Sequence, residues 1–131
     1  MASKGRPYKT VPVEGFDVLV GKGDVENDRL TFEVAAPDDL WLHVAGFSGS
    51  HVVVRNPDAL PELPRPVVER AAELAAWHSK GRAGGGKVEV HVCKVSDVRK
   101  PRHFEPGKVL LKQWTSLRVY PRGLDGDDRE E

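Results

Sequence analysis

Short segments that alternate apolar and polar residues recur along this chain, and a single window carries a helical period instead. Phe16, Val18 and Val20 share one parity, as do Leu30, Phe32 and Val34, Leu42 and Val44, Val52 and Val54, Val88, Val90 and Val92, and Leu117 and Val119. Alternation with period two sends successive side chains to opposite faces of a strand, so each segment reads as one half-buried strand. In the remaining window, Val67, Ala71, Leu74, Ala75 and His78 fall on one stripe at helical spacing. Pro66 suits a first helical turn, and Gly81 with Gly84-Gly85-Gly86 ends the pattern, so a helix is expected from about Pro66 to Lys80. Several strands, one main helix and no strand–helix–strand alternation predict an α+β fold. Its form is a mostly antiparallel sheet built from hairpins, with one main helix packed on it.

The same patterns set the expected boundaries. Residues 1–14 show no hydrophobic period, so a flexible segment is expected over 1–12, the folded domain over 13–122 and a disordered acidic tail over 123–131. The turn-forming run Gly21–Arg29 between two alternating segments predicts a first hairpin with a long tip. Ala45–Ser50 predicts a second hairpin loop, and Lys108–Lys112 a further short strand. If Leu42, Val44, Val52 and Val54 face the core, then Trp41, His43, His51 and Arg55 gather on the opposite face.

Composition narrows the functions available. No apolar run approaches the ~18–20 residues that a membrane span needs, so no membrane partner is expected. The first residues lack the apolar region of a secretory signal, which points to the cytoplasm. Cys93 is the single cysteine, which excludes an intramolecular disulfide and an all-cysteine zinc site. The net charge of +0 hides a division. Residues 125–131 carry five acids and one base, and setting them aside leaves 19 bases against 15 acids, a net of +4. Between His78 and Lys108, eight bases face three acids. A local basic region on a neutral chain suits a polyanion partner, and the acidic tail is expected to compete with that partner for the basic surface at low salt.

Asp38, Asp39, Trp41, His43 and His51 are the densest group of chemically able residues. Carboxylates and imidazoles could ligate a metal, but no established ligand spacing is present, and neither a metal nor another cofactor is expected. Acid–base chemistry at His43 or His51 would need an electrophile-stabilising group that the sequence does not display. A ring and imidazoles on a sheet face can instead stack on unpaired bases, with Arg55 beside them for phosphate. Gly21-Lys22-Gly23 is a hairpin tip that could also let backbone N–H groups approach an anion, although the P-loop spacing is absent. Ser79-Lys80-Gly81-Arg82 places bases at a helix C-terminus, where the dipole also favours them. Arg99, Lys100 and Arg102 make the loop Ser96–Gly107 basic.

Taken in order, these segments resemble the NFACT-R domain, also called DUF814. The resemblance runs from Gly21-Lys22-Gly23 and Glu26-Asn27-Asp28-Arg29-Leu30-Thr31, through Asp39-Leu40-Trp41-Leu42-His43 and Gly49-Ser50-His51-Val52-Val53-Val54. It continues in Ala71-Ala72-Glu73-Leu74-Ala75-Ala76 with Ser79-Lys80, and ends in Val98-Arg99-Lys100-Pro101 and Glu105-Pro106-Gly107-Lys108-Val109. Leu42, His91 and Arg99 depart from the phenylalanine, tyrosine and lysine common in that pattern. The resemblance implies a stand-alone, non-enzymatic RNA-binding module, with tRNA or rRNA as ligand and the large ribosomal subunit as a partner. Its site would comprise Lys22, Asp39, Trp41, His43, His51, Arg55, Lys80, Arg99, Lys100 and Arg102, with Asp39 orienting His43 or a turn. Two rival classes stand beside it: a metal-dependent or His/Asp-based nucleotide-processing enzyme, and a ribosome-associated protein-interaction module. Stoichiometric metal would favour the first, and binding that survives nuclease the second. If the face of Trp41 and His43 is a stacking platform, Trp41→Ala and His43→Ala should fold and lose RNA, while Leu42→Ala should do the reverse.

Overall fold

A computed structural model describes residues 5–124. Residues 1–4 and the acidic run 125–131, with its expected disorder, lie outside the described residues. The strands are β1 (Tyr8–Val13), β2 (Phe16–Gly21), β3 (Leu40–Val44), β4 (Val52–Val54), β5 (Val88–Lys94), β6 (Val98–Arg99), β7 (Leu110–Leu111) and β8 (Thr115–Val119). The helices are α1 (Asp24–Arg29) and α2 (Arg65–Trp77). Six strands form one antiparallel sheet in the order β1-β2-β4-β3-β5-β8, and β6 pairs with β7 as a separate ribbon. The α+β architecture is therefore the one the alternation implies.

The helix α2 lies on one face of the sheet. Val67, Ala71, Leu74 and Ala75 pack there against Val18, Val20, Leu42, Val44, Val52, Val54, Val90 and Val92, all buried. Alanine at the helix contacts lets the backbone come close to the β-branched sheet surface. The chain leaves α2 at Trp77 and makes a tight turn over Lys80–Gly84. Among the described residues no helix is long and apolar enough to cross a membrane.

The centre of the opposite face is covered as well. Leu19, Trp41, Val53 and Cys93 form a second core there with Leu30 and Val98, and Val34, Val109 and Leu111 pack against it. Its cover comes from the segment read as the second strand of a first hairpin. Asp24–Arg29 is α-helical and Leu30–Val34 continues it as a wider π-type turn. The alternation of Leu30, Phe32 and Val34 competes with a second pattern: Asn27, Leu30, Thr31 and Val34 stand at i, i+3, i+4 and i+7, and that helical face is the one turned inward.

The expected flexible start is also corrected. Tyr8–Val13 pairs along its whole length with β2, burying Val11. Val13 and Phe16 face each other across Glu14-Gly15, whose φ angles of 53° and 86° make the two-residue turn that matches strand twist. Pro12 is tolerated because β1 is an edge strand. At the other end, Gly123 and Leu124 are held rather than loose: Arg70 donates to the carbonyls of Arg122 (2.9 Å) and Gly123 (2.8 Å), and Leu124 packs on the α2 core. Glu14 occupies a left-handed conformation that asparagine enters at less cost. Glu14→Asn is therefore expected to stabilise the domain by ~0.5–1 kcal/mol in urea unfolding, and a loss of stability would contradict the turn assignment.

Candidate nucleic-acid interface

Three segments distant in sequence are sewn together where β2 ends. The Gly21 amide donates to the His51 carbonyl at 2.9 Å, and Ser50 Oγ donates to the Gly21 carbonyl at 2.7 Å. Asn27, buried, completes the seam: its Oδ1 accepts from the His51 amide (3.0 Å) and its Nδ2 donates to the Gly49 carbonyl (3.3 Å). Gly21 has to be glycine at this contact, because a Cβ there would stand 2.0 Å from Asn27 Oδ1. The third segment follows α2. Ser50 donates its amide to the His78 carbonyl and Lys80 its amide to the Ser48 carbonyl, both at 2.9 Å, while Ser79 Oγ accepts from the Gly81 amide.

These bonds enclose an open cleft of about 380 Å³. Lys22, Lys80 and Arg82 line it, one from the end of β2 and two from the turn after α2, and Asp24 is the single carboxylate among them. All three cations are exposed. Arg82 lies over the Trp77 ring at 4.1 Å from its centroid, held by a bond from Nη1 to the Trp77 carbonyl at 3.2 Å. The cleft thus brings together Lys22 and Lys80, two of the expected site residues; Arg82 joins them, and its signal was the same four-residue run after the helix.

The predicted stacking face sits behind this cleft, not on it. Trp41 is 1% exposed, and its Nε1 donates to Thr31 Oγ1 at 3.1 Å. Thr31 Oγ1 lies 2.9 Å from His51 Nδ1, and His51 Nε2 lies 3.1 Å from the Gly107 carbonyl. A carbonyl only accepts, so Nε2 carries the proton, Nδ1 accepts, and the Thr31 hydroxyl points its hydrogen at His51. The result is a directed chain, Trp41 to Thr31 to His51 to Gly107, which suits a neutral imidazole. Burial, with His43 nearby, pushes the His51 pKa down to about 4. Half-buried His43 is also lowered, by burial first and then by His91, against hydrogen bonds to the Gly49 and Val44 backbone. The rings of Trp41, His43 and His51 pack within 5.0–5.9 Å of one another. Trp41 as an exposed platform is therefore corrected: period two set its face rightly, but a helix the alternation did not reveal covers that face.

Two other expected contacts are engaged internally. Buried Asp39 takes amide hydrogens from Ala36 (2.9 Å) and Asn56 (2.7 Å) and pairs with Arg55 Nε at 2.9 Å, so it orders a turn and not His43. Arg55 is spent in that pair. Lys100 Nζ sits 3.1 Å from Asp28 and donates to the Glu105 and Lys108 carbonyls, while the Gly107 amide donates to Asp28 at 3.1 Å. Lys100 thereby fastens the loop over residues 101–108 onto α1. Arg99 and Arg102 remain exposed outside the cleft. Among the described residues no three His, Cys, Asp or Glu side chains converge as a metal site would require.

A sequence model described as the NFACT protein RNA binding domain matches residues 6–113. The chain belongs to that family. Every segment of the seam and the cleft falls within the match. This NFACT RNA-binding domain is 37% identical over 123 residues to the Rqc2 homolog RqcH of Bacillus subtilis (strain 168), covering 90% of this chain and 21% of that protein. It is 40% identical over 118 residues to the Rqc2 homolog RqcH of Streptococcus suis (strain 05ZYH33), covering 88% and 20%. It spans about a fifth of the length of these relatives. The solved C-terminal part of the fibronectin/fibrinogen-binding protein from Streptococcus suis superposes with a TM-score of 0.81 at 34% identity, covering 91% of this chain and 47% of that one.

Two outcomes follow from the buried chain. Trp41→Ala should cost ~3–5 kcal/mol of stability, as a buried tryptophan does; a variant as stable as the parent would return Trp41 to the surface. The unfolded chain takes up a proton at His51 near pH 6.5, whereas the folded chain refuses it until about 4. Stability from His51 is thus complete above pH 6.5 and declines as pH falls toward 4, by about 2 kcal/mol at about pH 5. Urea unfolding at pH 7.5 and 5 should show this decline in the parent and a shallower one in His51→Asn; equal declines would remove His51 as its source.

Proposed function

We propose that this domain binds RNA, with tRNA or rRNA as its ligand, and that the cleft of Lys22, Lys80 and Arg82 receives the phosphates. One observation carries this reading: three cations from two separate segments converge on one cleft that holds a single carboxylate. Cations gathered this way release counterions when they neutralise phosphates, which gives affinity for nucleic acid without any base contact. A larger cavity, about 630 Å³ at the opposite end of α2, is a poorer host for a polyanion. Asp38, Glu62 and Asp97 line it against Arg65 and Lys94. Membership of the NFACT RNA-binding family supports the same ligand class.

Likeness to the RqcH proteins supports a ribosome-linked, cytoplasmic setting at the large subunit, with the domain acting as a binding module and not as an enzyme. In this reading Trp41, His51, Asp39, Arg55 and Lys100 serve RNA indirectly, by holding the walls of the cleft in place. His43 packs beside them, and exposed Arg99 and Arg102 extend the basic surface beyond the cleft.

The test is the salt dependence of binding. The triple variant Lys22→Ala, Lys80→Ala, Arg82→Ala should weaken RNA binding and lower the slope of log K against log salt by about two on single strands, at ~0.7 per contact. A triple variant that folds and keeps the parental slope would place the site elsewhere.

A further inference from the structure

We infer that the cleft admits an unpaired nucleotide whose base stacks on the Arg82 guanidinium, making single-stranded RNA the preferred form of the ligand. The inference rests on the RNA-binding reading above and adds to it the form of RNA that is read.

The Arg82 plane is held in place. Its Cζ lies 4.1 Å from the Trp77 ring centroid, and Nη1 is tied to the Trp77 carbonyl at the end of α2. The guanidinium thus sits over the indole while the side chain as a whole stays exposed. Guanidinium planes and aromatic rings are the surfaces on which unstacked bases lie. A second ring stands at the same turn. Phe47 is 49% exposed, and a methyl group built on Gly81 would come within 2.9 Å of its Cδ2, so the ring leans on the residue preceding Arg82. Phe47 and Arg82 therefore stand at one turn, and Lys22 and Lys80 in the same cleft as Arg82 are suited to phosphate. In a duplex every base is already stacked inside the helix and offers only its edges, which would leave both surfaces unused. The cleft of about 380 Å³ has room for a nucleotide.

The test is a fluorescence titration of the full chain with a single-stranded RNA carrying 2-aminopurine, and with the same sequence annealed into a duplex. The parent should bind the single strand more tightly and quench the probe as it stacks. Arg82→Lys keeps the charge but loses the plane, and Phe47→Ala alters no charge. Each should lower single-strand affinity by about five- to a hundred-fold and diminish the quenching. Both side chains are exposed, so thermal unfolding should show that both variants fold. Equal affinity for strand and duplex, or an Arg82→Lys variant that binds the strand like the parent, overturns the inference. Salt-dependent RNA binding without that preference would leave the broader reading intact, whereas a folded parent that binds no RNA removes both.

Discussion

Asn27 makes two hydrogen bonds that decide where the candidate site lies. Its carboxamide is buried, accepts from the His51 amide and donates to the Gly49 carbonyl, so one side chain stands in for a missing strand beside the end of β4. Truncation would leave the buried His51 amide unpaired, at ~1–3 kcal/mol. No aliphatic residue can replace it, because both polarities are required at once. Gly21 yields its Cβ to the same contact, which explains why glycine and asparagine stand six residues apart at the opening of the helical insert. Through this seam the insert is fixed against the sheet, and with it the Thr31 hydroxyl that mates with Trp41 and His51.

The consequence is a sheet dry on both faces at its centre. All three residues of β4 are buried, one parity under α2 and the other under the insert and the β6–β7 ribbon. Period-two logic separates two faces but cannot say that one of them meets water. The sequence therefore told correctly that Trp41, His43 and His51 share a side, and the further step to an exposed platform failed at the cover. Polar groups on the covered side need partners, and the directed chain from Trp41 to Gly107 supplies them. A neutral His51 can pass a hydrogen bond on in one direction, which a charged imidazole with two donors could not do here.

What was legible follows the strength of local signal. The strands β2, β3, β4, β5 and β8 and the body of α2 stood out because in each of them a single apolar period has no competing pattern. The strand β1 did not, since Pro12 and a Glu-Gly turn disguise an edge whose pairing is supplied entirely by its neighbour. The insert was hidden because the residue that anchors its inward face, Asn27, is polar and does not count in a hydrophobic pattern. The cations divide on the same principle. Lys22 and Lys80 were legible as charge beside turn-forming glycines, whereas Lys100 and Arg55 are equally basic in sequence. Their neutralisation by Asp28 and Asp39 depends on contacts 72 and 16 residues away along the chain.

The end of α2 shows why structural and functional explanations of a charge need not compete. A helix C-terminus carries partial negative charge on carbonyls that lack partners, and cations nearby are favoured for that reason alone. Arg82 answers this with a bond to the Trp77 carbonyl. A guanidinium has five N–H donors and two faces, so a cap that uses one donor and one face leaves the remainder for a ligand. Capping by lysine would supply charge without a plane. The same bond that satisfies the helix thus restricts the rotamers of Arg82 before any ligand arrives, and a side chain already held gives up less entropy on binding than one that must first be ordered. Placing the cations where the helix already wants them is what lets a nearly neutral chain hold a locally basic cleft without a cost in stability to keep it there.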